Sequence, residues 1–358
     1  MTQSLRVLVF GAGAIGTYIG GALALIGCAV SFVEQPAAVE ELRCRGLTLD
    51  LTAARPSSRQ SQVPPGVYHL KSPRFYPSLA EAFKADSYDV ALFALKSFDT
   101  PAAIQAMLPW REQMPPIVCL SNGVENEPAL EAVLGGGHVI PGTVTSAIGR
   151  RAVGEIVLER YRGVGLAAHP LASRLLEAMN RAGLNARIFS NPAAMKWSKL
   201  LTNLPANATS AILDMTPAEV FAHPGLFRLE MAMLREGLAV MRALGTPVVN
   251  LPGTPVRALV LGTRLPEILA HPLMRKAIGS GRGGKMPSFH IDLHTGRGRS
   301  EVEWLNGAVV RYGQQTNIPT PVNHFLTETL LALTRRTLPL DEFRRQPEKL
   351  LARFEQTS

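Results

Sequence analysis

The sequence has 358 residues, of which 46% are hydrophobic and 18% are charged, below the roughly 25% charged residues of a typical globular protein. This composition excludes a disordered chain, and the length favours two domains over a single large one. The formal charge of +9 suits anionic small molecules or nucleic acid, but the chain has no nucleic-acid-binding motif, so we predict no nucleic-acid partner.

In chain order, the first 190 residues alternate between short apolar runs and helical stretches. Strands are predicted at 5–10, 28–33, 88–95, 115–122 and 138–144, with more between 152 and 170. Helices are predicted at 17–27, 99–108, 126–135 and 172–183. The Ser- and Pro-rich segment 52–76 is interpreted as an irregular or strand-and-loop insertion. This alternation predicts a parallel, doubly wound sheet.

Beyond residue 190 the pattern becomes helical. Helices are predicted at 193–213, 226–245, 302–316 and 324–336. The segment 251–293 is rich in Gly and Pro and is predicted to be partly loop. We therefore predict a Rossmann-like α/β domain over 1–190 and an all-helical domain over 191–358.

The three cysteines, Cys28, Cys44 and Cys119, are far apart and form no CxxC pair or Cys/His cluster. We therefore expect no metal site and reduced thiols, as in a cytoplasmic protein. The start of the chain, MTQSLRVLVFGAGAIG, runs into a glycine motif and does not resemble a signal peptide. No apolar run reaches the roughly 20 residues of a membrane span, so we predict no membrane partner.

The motif GAGAIG follows the first predicted strand and opens the first predicted helix. Its glycines have the GxGxxG spacing, which permits a tight turn, close approach of a pyrophosphate and close packing of helix on strand. The helix N-terminus supplies amides for phosphate. In this context the motif predicts a dinucleotide site rather than a turn without ligand. The predicted cofactor-binding residues are Gly11, Ala12, Gly13, Ala14, Ile15 and Gly16.

Three polar residues follow later predicted strands. Glu34 ends the second strand, where a carboxylate can bind ribose hydroxyls and would repel a 2′-phosphate, so it favours NAD. Lys96 and Asn122 come just after the next two buried strands. Ligands of open α/β sheets bind at the carboxyl ends of the strands, so both are candidates for the site, with solvated loop residues as the alternative.

The stretch KWSKLLTNLPANATSAIL places Lys199, Asn203 and Asn207 four residues apart in an otherwise apolar helix, so the three share a face. Lys199 could extend to solvent instead, and the nearby Lys196 makes that alternative more plausible. Pro205 cannot donate to the carbonyl four residues earlier and is expected to kink the helix. A kinked helix bearing these groups predicts either a site or a solvated face.

In the last third, Ser288, Asp292 and Glu301 are candidate polar site residues. Glu301 follows Ser300 at the start of a predicted amphipathic helix, where a carboxylate is also favourable for capping. His290 has no partner that the sequence identifies, and we assign it no catalytic role. No GxSxG, HExxH or P-loop motif occurs.

The ordered set of motifs resembles the ketopantoate reductase (2-dehydropantoate 2-reductase) family of pantothenate biosynthesis. The resemblance covers most of the chain. It rests on GAGAIG, the Leu-Lys pair at 95–96, SNG at 121–123, the K-x₃-N-x₃-N pattern, PSFHID at 287–292, EVEWLNG at 301–307 and IPTPVN at 318–323. It implies a Rossmann-like NADPH-binding domain, a helical domain, and a 2-oxo acid, ketopantoate, bound in the cleft between them.

The resemblance also implies roles for individual residues. Lys199 matches the general acid, and Glu301 matches an acid that contacts Lys199 and the nicotinamide ribose. Substrate-binding positions are matched by Asn203, Asn207 and Ser288. Lys96 matches a lysine on the cofactor side, and Asn122 matches a position that contacts both cofactor and substrate. By analogy with other helical second domains, the chain could form a homodimer.

The chain departs from the family pattern at several positions. Glu34 and Gln35 stand where the family often has an arginine for the NADPH phosphate, and Pro217 stands where a substrate-side Asn is common. The spacing from Asp292 to Glu301 is one residue longer than usual. These departures leave NADP or NAD open and allow another branched 2-oxo acid as substrate. Two further alternatives are another two-domain dehydrogenase, of hydroxyacid or glycerol-phosphate type, and a non-catalytic dinucleotide-binding sensor.

Overall fold

The structure, a computed structural model, describes residues 4–55, 60–282, 285–296 and 298–357. The chain divides into two compact units. The first comprises Met1–Lys196 with Leu251–Thr254, and the second comprises Trp197–Asn250 with Pro255–Ser358. The domain boundary near residue 190 stays a prediction.

The first unit is built on strands that form two sheets. In chain order the described strands are β1 (Arg6–Phe10), β2 (Ala29–Val33), β3 (Leu47–Asp50), β4 (Val67–Leu70), β5 (Arg74–Tyr76), β6 (Val90–Phe93), β7 (Ile117–Cys119), β8 (Val139–Val144), β9 (Ala147–Ala152), β10 (Glu155–Arg160), β11 (Val164–Ala167) and β12 (Ala186–Phe189). The larger sheet has eight strands in the order β12-β11-β8-β7-β6-β1-β2-β5. The smaller sheet has the order β4-β3-β10-β9.

Helices cover both faces of the larger sheet. They are α1 (Ala14–Leu25), α2 (Pro36–Arg45), α3 (Leu79–Ala85), α4 (Thr100–Met107), α5 (Asn126–Leu134) and α6 (Ala172–Arg181). Val7 and Val9 of β1 belong to a core with α1, α2 and α6, whereas Leu8 and Phe10 belong to a core with α3, α4 and α5. Alternate side chains of a strand point to opposite faces, and β1 is buried between helices on both, so it is apolar from Val7 to Phe10. The predicted doubly wound, Rossmann-like sheet is confirmed.

The chain order reverses at β1, which pairs in parallel with β2 on one side and β6 on the other. Such a switch point creates a crevice outside the carboxyl ends of the strands. The GAGAIG loop follows β1 and Lys96 follows β6, so the candidate residues of the first unit lie along this edge.

Close packing of α1 on β1 depends on Gly16. A Cβ at this position would lie 2.0 Å from the carbonyl oxygen of Gly11, which no side chain can satisfy without moving the backbone. Gly13 differs, because a Cβ there would meet nothing within 4 Å. Gly11 has φ +88°, a left-handed conformation that favours glycine.

The described part of the second unit is helical. Helix α7 (Pro192–Asn203) leads into it, followed by α8 (Asn207–Leu213), α9 (Pro217–Ala222), α10 (Pro224–Ala243), α11 (Val256–Arg264), α12 (Glu267–Arg282), α13 (Ser288–His294), α14 (Asn306–Gln315), α15 (Pro321–Thr334) and α16 (Pro347–Thr357), with a 3₁₀ turn at Glu301–Trp304. The predicted helical second domain is confirmed. No helix among the described residues is both long and apolar enough to cross a membrane.

The segment 251–293 contains more helix than its Gly and Pro content indicates. Helices α11, α12 and α13 occupy most of it. Pro255 and Pro287 stand at the N-caps of α11 and α13, and Pro266 immediately precedes α12. Proline is compatible with a helix start because the first amides need no partner within the helix, so these three prolines mark helix boundaries rather than loops. In the segment 52–76, β4 and β5 are strands, and residues 56–59 lie outside the described residues.

We expect Gly16→Ala to destabilise the first unit by about 1–3 kcal/mol, because the added methyl group forces α1 away from β1. Gly13→Ala is the matched control and should leave the stability unchanged, because its Cβ enters open space. Calorimetric melting of the two variants checks this expectation. Equal melting temperatures for both would contradict the packing role of Gly16.

Candidate active site

The glycine loop at the end of β1 leads into α1, whose first residues are half-buried. The Gly11 amide donates to the Val33 carbonyl at 3.0 Å, which fixes the loop to the end of β2. Gly13 is the N-cap of α1 and has no side chain to occupy the first amides of the helix. These amides and the positive end of the helix dipole can bind an anionic group such as a pyrophosphate.

The carboxylate of Glu34 is held against this loop. Its Oε2 accepts from the Ala12 amide at 2.8 Å, and its Oε1 accepts from the amide of Gln35 at 2.9 Å. Glu34 therefore places a negative charge beside the glycine loop. A carboxylate here can accept hydrogen bonds from ribose hydroxyl groups and repels a phosphate group on the ribose.

The loops after β6 and β7, which carry Lys96 and Asn122, are joined by partly buried hydrogen bonds. Ser97 Oγ donates to the Asn122 carbonyl at 2.9 Å, and Ser121 Oγ donates to the Leu95 carbonyl at 2.8 Å. The amide of Asn126 donates to the same Asn122 carbonyl at 2.7 Å. Lys96 and Asn122 are thus on adjacent loops of fixed conformation at the carboxyl edge of the sheet.

Lys196 is buried and does not reach solvent, which corrects the interpretation that it marks a solvated helix face. Its Nζ lies 2.6 Å from Glu127 Oε1 and donates to the Ser121 carbonyl at 2.6 Å and the Gly142 carbonyl at 3.3 Å. A buried ammonium needs such partners. The sequence gives no signal for this pair, because Glu127 is distant along the chain.

The thiol of Cys119 lies at the end of β7, close to this pair. Burial, with the negative charge of Glu127, raises the pKa of Cys119 well above its usual value. A protonated, fully buried thiol is a poor nucleophile and a poor metal ligand. Cys119 is therefore part of the core.

The helix that carries the Lys-Asn-Asn pattern is interrupted rather than kinked. Helix α7 ends at Asn203 and α8 begins at Asn207, with Ala206 in a left-handed conformation at φ +54°. Pro205 removes one helical hydrogen bond, and the strained backbone is held by the buried Glu230, whose Oε2 accepts from the Ala206 amide at 2.8 Å. The sequence reasoning missed Glu230, which lies on α10.

This interruption brings three predicted substrate-binding residues together. Asn207 Nδ2 lies 3.1 Å from the Asn203 carbonyl and 3.5 Å from Ser288 Oγ, and Asn207 Oδ1 accepts from the Phe289 amide at 3.2 Å. Asn207 therefore joins the end of α7, the start of α8 and the start of α13. Neutral donors and acceptors are concentrated at this point.

The two predicted catalytic residues lie on other parts of the same unit. Lys199 is half-buried on α7, four residues and so about one turn before Asn203. Glu301 is 1% exposed and opens the 3₁₀ turn, where the Ser300 hydroxyl accepts from the Val302 amide at 3.3 Å. Asp292 lies on α13.

His290 has a partner that the sequence does not identify. Its Nε2 lies 2.8 Å from Asp214 Oδ1, at the C-cap of α8. The two residues are far apart in sequence, and only the packing of α13 beside α8 brings them together. The contact gives His290 a structural partner.

A glycine loop at a switch point, followed by a helical unit with a lysine, asparagines and a serine on neighbouring helices, defines a dinucleotide-dependent oxidoreductase. Family models agree and are more specific. The ketopantoate reductase PanE/ApbA model matches residues 7–170, and the model of its C-terminal part matches residues 191–334. The chain therefore belongs to the ketopantoate reductase family, as its sequence motifs indicate.

Individual relatives are similar over nearly their whole lengths. The 2-dehydropantoate 2-reductase of Pyrococcus horikoshii is 23% identical over 334 residues, covering 90% of this chain and 95% of the relative. The structure of a PanE/ApbA family ketopantoate reductase from Ralstonia eutropha is 25% identical, with a TM-score of 0.74, covering 93% of this chain and 99% of the other. A D-mandelate dehydrogenase, solved with NADH and anilino(oxo)acetate, shares the fold at 20% identity, with a TM-score of 0.71 over the same shares of the two chains.

Glu127→Leu should destabilise the first unit by about 3–5 kcal/mol, because it leaves the buried Lys196 ammonium without its counter-charge. Replacing both partners, as Glu127→Leu with Lys196→Met, should recover most of that loss, since an apolar pair needs no charge compensation. Calorimetric melting of both variants tests the pair. If the double variant is no more stable than Glu127→Leu alone, the two residues do not act as a pair.

Proposed function

We propose that the protein reduces a 2-oxo acid with a nicotinamide nucleotide, and that the substrate is ketopantoate, giving pantoate. The observation that carries this proposal is the convergence of Asn203, Asn207 and Ser288, with Lys199 one turn before Asn203. Three neutral hydrogen-bonding groups and one ammonium suit a small molecule that has a carboxylate, a ketone and a hydroxyl group.

The first unit fits the proposed cofactor. The start of α1 offers amides without side-chain caps, and the open space at Gly13 allows a pyrophosphate to approach the backbone. Lys96 and Asn122 stand at the same sheet edge and would contact the cofactor, with Asn122 also contacting substrate. A bound reduced nicotinamide supplies the hydride that the reaction needs.

The helical unit supplies the groups for the rest of the reaction. Addition of hydride to the C2 ketone leaves negative charge on oxygen, which the Lys199 ammonium would stabilise before donating a proton to it. Asn203, Asn207 and Ser288 would fix the orientation of the substrate. Glu301, a buried carboxylate, would contact Lys199 and the nicotinamide ribose.

A second candidate is the reduction of another branched 2-oxo acid with NADH. Glu34 favours it, because its carboxylate is fixed beside the glycine loop, where it would repel the 2′-phosphate of NADPH. Pro217 favours it too, since it is the first residue of α9 and lies within the capping box formed by Thr216 and Glu219. A helix start thus replaces the polar side chain that the family often places there.

A non-catalytic nucleotide sensor is the remaining alternative, and self-association as a homodimer stays a prediction. The sensor would bind nucleotide and reduce no 2-oxo acid. A panel assay that combines NADH or NADPH with ketopantoate and other branched 2-oxo acids distinguishes the three functions. Light scattering of the purified chain measures its oligomeric state.

Lys199→Ala should lower kcat by about 10²–10⁴-fold, the usual contribution of a positioned acid, while nucleotide binding is retained. The measurement is the rate of NAD(P)H oxidation with the best substrate of the panel, together with nucleotide titration. Lys276→Ala, which removes an exposed lysine of the same unit, should behave as the wild type. A near-normal kcat for Lys199→Ala contradicts its assignment as the acid.

Glu34→Gln should raise the ratio of kcat/KM for NADPH to that for NADH by about tenfold, or ~1.4 kcal/mol. The amide oxygen of glutamine can still accept from the Ala12 amide, so the substitution removes the charge and keeps the contact with the glycine loop, while the hydrogen bond from the Gln35 amide is lost. Glu40→Gln, at an exposed position of α2, is the control. If the wild type already prefers NADPH by about tenfold or more, Glu34 does not set the cofactor preference.

A further inference from the structure

We propose that Asp214, His290 and His294 form a binding site for a transition-metal ion of the Zn²⁺ type. The candidate donor atoms of the three side chains all lie within 4.8 Å of one another. Within the described part of the chain, no other group of three such side chains converges in this way. The site does not depend on the proposed reductase function.

The local structure explains the convergence. His290 and His294 are four residues apart on α13 and therefore share a face, with ring centroids 4.2 Å apart. Asp214 ends α8 in a left-handed conformation with φ +50°. Because α8 and α13 are packed together, the carboxylate at the end of α8 meets the two imidazoles of α13.

The distances are close to those of a metal site. Ligands on tetrahedral Zn²⁺ at about 2.0–2.1 Å lie roughly 3.3 Å from each other. His290 Nε2 and Asp214 Oδ1, now 2.8 Å apart, need to separate by only about 0.5 Å for an ion to lie between them. His294 is exposed, so a rotation of its side chain can bring its ring nitrogen inward.

The surrounding charges select the class of ion. Asp214 Oδ2 lies 3.1 Å from Arg344 Nε, so the carboxylate is partly neutralised before any metal binds. Mg²⁺ and Ca²⁺ require several oxygen ligands, which this cluster does not provide. Zn²⁺, Ni²⁺ and Cu²⁺ accept imidazole ligands, and two imidazoles with one carboxylate leave a fourth position for water.

The bound ion would connect two helices that also carry proposed substrate contacts. Helix α8 begins with Asn207 and α13 begins with Ser288, and Asp214 and His294 stand at the opposite ends of the same helices. Binding would replace the hydrogen bond from His290 to Asp214 by two metal bonds, with His290 bound through Nε2 as a neutral imidazole whose remaining proton is on Nδ1. With the contact of Asn207 and Ser288 at the helix starts, the ion would give α8 and α13 a second point of attachment.

The test is a titration of metal-stripped, tag-free protein with Zn²⁺ in competition with a chromophoric chelator. The wild type should bind one ion per chain, and His294→Ala should bind it at least tenfold more weakly. Because His294 is exposed, this variant removes one ligand and leaves the His290–Asp214 contact in place. His324→Ala, an exposed histidine of the same unit, and Cys44→Ser, an exposed thiol, should match the wild type.

Two further measurements make the test decisive. Co²⁺ bound to the wild type should give the visible absorption of a four-coordinate site, and Zn²⁺ should raise the melting temperature of the wild type more than that of His294→Ala. Equal Zn²⁺ affinity in the wild type and His294→Ala, or no bound ion in the wild type, overturns the proposal. Loss of binding in His324→Ala or Cys44→Ser instead would place the ion elsewhere and overturn it as well.

Discussion

The carbonyl oxygen of Gly11 lies so close to α1 that Gly16 cannot carry a side chain, and the geometry of the first unit follows from this contact. It holds the start of α1 against the end of β1. The first amides of the helix therefore lie at the switch point of the sheet. The same edge receives the loops after β6 and β7 and the carboxylate of Glu34. The absence of a side chain at Gly16 is therefore required for the helix start to offer its amides to an anion at this edge.

In the second unit, a buried carboxylate stabilises a break between two helices. The chain leaves the helical conformation at Pro205 and Ala206, and the freed Ala206 amide would be costly to bury alone. Glu230 accepts that hydrogen bond and another from Thr209, which lets α8 start anew at Asn207. Asn207 is the first residue of α8, next to the break in the helix. Its side chain contacts both the Asn203 carbonyl at the end of α7 and Ser288 at the start of α13.

The sequence predicts the periodic and local features of this protein well. GAGAIG between an apolar run and a helical stretch predicts a strand, a glycine loop and a helix in that order. The doubly wound sheet follows from the alternation of strands and helices. The lysine and asparagines of α7 and α8 are visible from their spacing. Interactions between distant residues are not. Glu127 with Lys196, Glu230 with Ala206 and Asp214 with His290 each join residues that only the tertiary fold brings together.

Local cues also misled where one residue type has two uses. Proline between 251 and 293 indicates loop by composition, yet Pro255 and Pro287 begin helices. Lys196 lies close to Lys199 in the sequence and suggests a solvated helix face, yet it is 5% exposed.

The contact of Lys196 with Glu127 also constrains how this family member can evolve. Losing either residue alone passes through a state with an unpaired charge in the core, so single replacements at these positions are disfavoured. Lys196 and Glu127 are thus expected to change together among closely related proteins, either kept as a pair or both replaced by apolar residues. Such covariation would reflect folding rather than catalysis, although Lys196 lies only one helical turn from the proposed acid.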